Sequence, residues 1–240
     1  PTAHIVFSVG AQNTFNSVEP NEKKEAEGED ENIVSEDLKT VIYYVTDEQQ
    51  QSQYINMFKK QGMDAVILSH NIDSPFITQL EQRNDRVRFQ RIDADITEHF
   101  KEEISEEEKE AFKATRDNLM ELFRKVLVND KLNVNVEKMK DESVAAMITL
   151  SEQSRRMEEM MKMYGMSGMD ASMFGTDATL VLNVNHPLVK YVLDHKDGEH
   201  TDMICHQLYD LAMLAHKPLS PEEMTAFVKR SNDIMMLLMK

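Results

Sequence analysis

The apolar positions of this chain change period along its length, and the changes mark out its elements. Val41 to Thr46 reads Val-Ile-Tyr-Tyr-Val-Thr, a β-branched and aromatic run bounded by polar residues, which predicts a buried strand. Asp47 is placed to cap a following helix, with Gln50 able to reach back. Tyr54, Ile55, Met57 and Phe58 form the apolar stripe of that helix, and Gly62 is its expected stop. Ala65 to Leu68 predicts a second strand. Ser74 and Pro75 read as N-cap and N1 of a short helix through Leu80, and Val87 to Ile92 as a third strand. Strand, helix, strand, helix, strand predicts a small three-stranded parallel αβα unit with right-handed crossovers.

Beyond it, Ser105 and Glu108 have the spacing of a capping box. They open a long helix with Phe112, Leu119, Leu122, Phe123, Val126 and Leu127 on its apolar side. Asn133 to Glu137 and Ala145 to Leu150 are short strand candidates. A methionine-dense stretch runs from Met157 to Met173, and a strand follows at Thr179 to Val184. Pro187 opens a short helix to Leu193, and two more helices cover Thr201 to His216 and Ser220 to Met239. The expected fold is of the α+β to α/β class. The parallel unit at 41–97 precedes a mixed α/β dimerisation domain at 98–240, which ends in a two-helix bundle, four helices in a dimer. Residues 1–40 hold one short strand candidate, His4 to Val9. They also hold a highly charged stretch, Glu19 to Lys39, that reads as a solvated linker.

Composition narrows the function. The chain has 240 residues, 41% of them hydrophobic, with 27 basic against 43 acidic side chains and a formal net charge of −16. Such a surface argues against neutralising the phosphates of nucleic acid or anionic lipid. The single cysteine, Cys205, excludes a disulfide framework and fits a reducing, cytoplasmic setting. No apolar run reaches the length of a membrane span, and the start lacks the basic region of a signal peptide. The chain begins with Pro, as a processed product or a piece of a longer protein would.

Candidate chemistry is sparse. The first strand–helix turn, Thr46-Asp47-Glu48, lacks the glycines a dinucleotide pyrophosphate requires and carries two repelling carboxylates. Asp93 and Asp95 after the third strand can hold Mg²⁺, which defines an alternative, a phosphoryl-transfer or nuclease-like enzyme. Against it, acidic residues commonly end strands and cap helices, and no basic residues gather for a phosphate. His195, His200, Cys205 and His206 lack metal-ligand spacing. Met157, Met160, Met161 and Tyr164 fall at helical spacing, with Met166 and Met169 following among glycines. They form either plain core or an adaptable apolar surface for varied partners.

The strongest local signal is the last helix, with Leu219 at N′, Ser220 at the N-cap, Pro221, Glu223 at N3 and Met224 at N4. Ile234 to Met239 is apolar on every side and therefore needs cover on every side. The preceding helix covers one side only. A second copy is expected to cover the rest, through Ile204, Leu208, Leu211 and Leu214 with Met224, Phe227, Met235 and Leu238. Docking onto the chain's own core is the competing expectation.

Three stretches carry a resemblance. Val41 to Asp47, Phe58-Lys-Lys-Gln-Gly-Met-Asp-Ala-Val-Ile-Leu68 and Ile72-Asp-Ser-Pro-Phe76 resemble the closing α/β part of the middle region of the ninety-kilodalton heat-shock chaperones. Leu182-Asn-Val-Asn-His-Pro-Leu188 and Leu208-Tyr-Asp-Leu-Ala-Met-Leu214 are similar to that family's terminal region, in the bacterial style. The likeness covers roughly 41–239. It implies an ATP-driven dimeric stress chaperone of which this chain is the C-terminal part. ATP and Mg²⁺ would bind upstream, and no catalytic residue, cofactor or metal falls in this chain. It further implies a homodimer formed through the last two helices, and contact with unfolded client proteins at Met157, Met160, Met161, Tyr164, Met166 and Met169. No nucleic acid or membrane partner is expected.

Overall fold

The computed structural model describes residues 4–5, 40–70, 72–94, 98–151, 154, 156–157 and 178–239. The β-branched run becomes the central strand of the first sheet, β2 (Thr40–Val45). It pairs in parallel with β3 (Val66–Ile67) and with β4 (Val87–Arg91), placing Tyr44 opposite Val66 on one side and Arg91 on the other. A fourth strand, β1 (His4–Ile5), runs antiparallel beside β3, so the order is β1-β3-β2-β4. The three expected strands are parallel as predicted, and β1 makes the sheet mixed.

Helix α1 (Ser52–Lys60) buries Tyr54, Ile55, Met57 and Phe58. Its entry differs in detail from the expected box. Asp47 Oδ1 accepts from the Gln49 and Gln50 amides at 2.9 and 3.0 Å. The side chain that reaches back is Gln51, whose Oε1 accepts from Thr46 N at 2.8 Å and Asp47 N at 3.0 Å. A hydrogen-bonded turn from Asp47 to Gln51 precedes the helix, and this extra turn shifts the reciprocal partner by one residue. Gly62 stops α1 as expected. At φ 66° it takes a left-handed conformation with little steric cost, while Met63 N donates to Phe58 O at 3.0 Å.

Helix α2 (Asp73–Arg83) starts one residue before the expected Ser74 cap. Asp73 accepts from His70 N at 2.9 Å, and Pro75 sits in the first turn, where its missing N–H has no intrahelical partner to lose.

The second sheet has the order β5-β7-β6. β5 (Asn133–Glu137) is parallel and β6 (Ala146–Thr149) antiparallel to the central β7 (Thr179–Asn183). Helices α3 (Lys109–Val126), α4 (Pro187–Asp194) and α5 (Thr201–Leu214) complete its core, and α6 (Pro221–Leu237) closes the chain. The box ahead of α3 is half formed, because Glu108 reaches Ser105 N at 3.4 Å while Ser105 Oγ donates to the same carboxylate. Leu119 and Phe123 of α3 pack with Leu180, Leu182, Val189, Val192 and Leu208.

A second apolar cluster joins the sheets, bringing Val45, Tyr54, Phe58 and Ile92 against Met139, Val144, Met147 and Val181. Tyr54 Oη crosses it to donate to Ile148 O at 2.6 Å. Asn183 is fully buried with every amide capacity used. Its Oδ1 accepts from Met139 N and Asn185 N, and its Nδ2 donates to Asp141 O and Val144 O, all at 2.8–3.1 Å. The fold is a mixed α/β one, and no helix of the described residues is long and apolar enough to cross a membrane.

Candidate association surface at the terminal helices

The cap of α6 forms as the sequence predicts. Glu223 N donates to Ser220 Oγ at 3.3 Å, Ser220 N donates to Glu223 Oε2 at 2.8 Å, and Pro221 stands in the first turn. The Ser220 amide and hydroxyl hold the Glu223 carboxyl below its usual range. None of the 17 residues of α6 is buried, whereas α5 buries Thr201, Cys205, Leu208, Asp210, Ala212 and Met213. Two polar contacts fasten α6 to α5. Arg230 Nη1 meets Asp210 Oδ2 at 2.8 Å, and Gln207 Nε2 donates to Ser231 Oγ at 3.1 Å. Burial pushes the Asp210 carboxyl up despite the pull of Arg230. The neighbouring His206 is pushed down by burial and then by Arg230.

The eight residues expected at an interface divide four ways. Met224, Met235 and Leu238 are exposed on α6 and its end, Leu238 at 84%, together with Val228, Met236 and Met239. Phe227, Ile204 and Leu214 are half-buried. Leu208 is 2% exposed inside the core of its own chain, so it has no surface to offer a second copy. Leu211, 49% exposed, lines a cleft of about 610 Å³ shared with Met57 and Lys60 of α1, Ala145 and Leu188. At the cleft rim Lys60 Nζ donates to Asp141 Oδ2 at 2.6 Å and to Ser143 Oγ at 3.1 Å. Burial raises Asp141, but the Lys60 and Ser143 hydrogen bonds outweigh it and hold the carboxyl low.

Of the expected client-contact residues, Met157 is helical and half-buried, next to Arg156. Met160, Met161, Tyr164, Met166 and Met169 lie outside the described residues. Sequence reasoning missed Arg156, whose Nη1 and Nη2 reach Glu81 Oε2 and Oε1 at 2.6 and 3.0 Å. No local pattern signals a pairing across 75 residues.

The metal-enzyme alternative is corrected by the surroundings of Asp93. That carboxylate is 3% exposed and held by Arg91, with Nε to Oδ1 at 2.6 Å and Nη2 to Oδ2 at 2.8 Å. Both oxygens are taken by a guanidinium, while the Asp47 carboxylate accepts from the amides of the turn before α1 and that of Asp73 from His70 N. Asp95 lies outside the described residues. Cys205 is buried, and burial with nearby Asp202 pushes its thiol up to about 12, which disfavours the nucleophilic thiolate.

The sequence model of the family described as Hsp90 protein matches residues 21–240. The chain is 31% identical over 176 residues to Chaperone protein HtpG of Bacteroides thetaiotaomicron, covering 70% of this chain and 25% of that protein. Against Chaperone protein HtpG of Treponema denticola it is 30% identical over 208 residues, covering 81% and 30%. A third relative, Chaperone protein HtpG of Porphyromonas gingivalis, is 31% identical over 166 residues, covering 65% and 23%. The chain thus spans about a quarter to a third of the length of these curated relatives. On the extent of that match, with two mixed sheets and a terminal helix pair in place, the chain belongs to the Hsp90 family, in its bacterial HtpG type.

Proposed function

We propose that this chain is the C-terminal part of an HtpG-type chaperone, and that it holds two copies together and presents an apolar surface to unfolded client proteins. The observation that carries the reading is a 17-residue helix with no buried residue and a methionine- and leucine-rich end. Covering about five such side chains stabilises by roughly 8–15 kcal/mol, at ~1.5–3 kcal/mol each. Association costs about 4–15 kcal/mol in lost freedom. The two are of the same order, so a homodimer with two helices from each copy is energetically reasonable.

In this reading the chain has no catalysis of its own. Nucleotide and Mg²⁺ chemistry belongs to parts of the longer relatives that it does not span, and a cytoplasmic location goes with it. Light scattering after gel filtration tests the association. The chain is expected at dimer mass and a version ending at Lys217 at monomer mass; monomers in both would sink the proposal. Clients are assigned to Met157, Met160, Met161, Tyr164, Met166 and Met169. Met160→Ser with Met161→Ser is expected to weaken capture of an unfolded protein while leaving the dimer mass unchanged.

A further inference from the structure

The two edges of the first sheet are closed by different means. In β4, Arg86 O and Ile92 N face β2, receiving from Thr40 N at 2.8 Å and donating to Tyr44 O at 3.0 Å. Alternation therefore turns the backbone groups of Phe89 outward. Both are held by side chains: Phe89 N donates to Glu81 Oε1 at 2.6 Å, and Phe89 O accepts from Arg156 Nη2 at 3.2 Å. Glu81 and Arg156 are themselves ion-paired, so this edge is sealed by a fixed pair.

At the opposite side Leu68 N donates to Val45 O at 2.8 Å, which fixes the phase of β3 and turns the Ile67 backbone outward. There the closure is a strand. His4 stands opposite Ile67 and Ile5 opposite Val66, in an antiparallel ladder two residues long. Residues 6–39 separate β1 from β2, and β1 precedes the family match, which begins at residue 21. Each hydrogen bond in such a ladder contributes only about 0.5–1.5 kcal/mol net. A cover this short is exchangeable, and an uncovered edge is a template for an added strand.

We propose that the outer edge of β3 is a strand-acceptor site, closed in cis by the chain's own His4–Ile5 segment. It accepts an extended segment running antiparallel to β3, of the β-branched and aromatic kind that His4-Ile-Val-Phe-Ser-Val9 represents. The site does not depend on α6, and the same preparation distinguishes the two readings.

The test uses the full chain with His4→Pro, which removes the backbone donor opposite Ile67. Hydrogen exchange at the Ile67 amide is expected to rise about ten-fold, the equivalent of roughly one lost hydrogen bond. Exchange at Tyr44 and Val45 in the sheet centre, and the mass by light scattering, are expected to stay as in the parent. Adding a synthetic peptide of residues 1–9 in trans is expected to restore the slow exchange at Ile67. Unchanged exchange at Ile67 in the Pro variant overturns the proposal, as does a peptide that restores nothing.

Discussion

Asn183 shows how much one buried amide can hold. Three of its four hydrogen bonds fix the 139–144 loop to the end of β7 and the fourth holds the turn at Asn185, and no water can replace them at full burial. Asn183→Ala strands two donors and two acceptors, so a loss of about 3 kcal/mol is expected in urea unfolding. His186 and His206 set a pH dependence at the same scale. Burial lowers both, and His186 Nδ1 accepts from Leu188 N at 3.1 Å, which requires a neutral ring. A folded pKa below the unfolded value means that the unfolded chain binds more protons in that window. Stability is therefore full above the ordinary histidine value of 6.5 and falls as pH drops through and below it. Urea midpoints from pH 8 to 5.5 are expected to decline, and His186→Asn with His206→Gln to flatten the decline. Asn183 was not legible as a structural amide, since its partners lie about forty residues back, whereas Gln51 bonds within its own turn and was missed because the extra turn moved the reciprocal partner one residue past Gln50.

Helices show the opposite balance. The stripe of α1, its Gly62 stop and the Ser220–Glu223 box were legible because each depends on neighbours within a turn or two. The α5 pattern was legible as apolar, but periodicity does not say whose chain covers a given residue. Thus Leu208 lies in its own core while Leu211 borders a cleft with α1. Ser220→Ala is expected to cost about 1 kcal/mol by loss of the N-cap. Met235→Glu with Leu238→Glu is expected to act on the proposed association alone. Both side chains are exposed, so unfolding of the diluted chain is expected to stay within ~0.5 kcal/mol of the parent while the dimer mass is lost. A stable dimer in that double variant would count against the α6 surface.

At the scale of the molecule, the parallel unit and the second sheet share one apolar cluster, and a strand-like contact continues between them at Ala94–Leu150. Cooperative unfolding follows from a shared core. Met147→Ala, made in that cluster, is expected to lower stability by about 2–4 kcal/mol. Exchange at Val45 in one sheet and Leu180 in the other should accelerate together; acceleration at only one would show that the units open separately. The order of strands and helices was legible from the sequence. The junction was not, because its contacts join Tyr54 to Ile148 and Lys60 to Asp141 across more than eighty residues.

The inert thiol of Cys205 makes the chain easy to instrument. With no tryptophan and one sealed cysteine, the native protein is nearly blank to both maleimide dyes and indole fluorescence. A cysteine placed at exposed Val128 would be the one site to take a spin label, and a distance between two such labels would gauge the opening of a pair of copies directly.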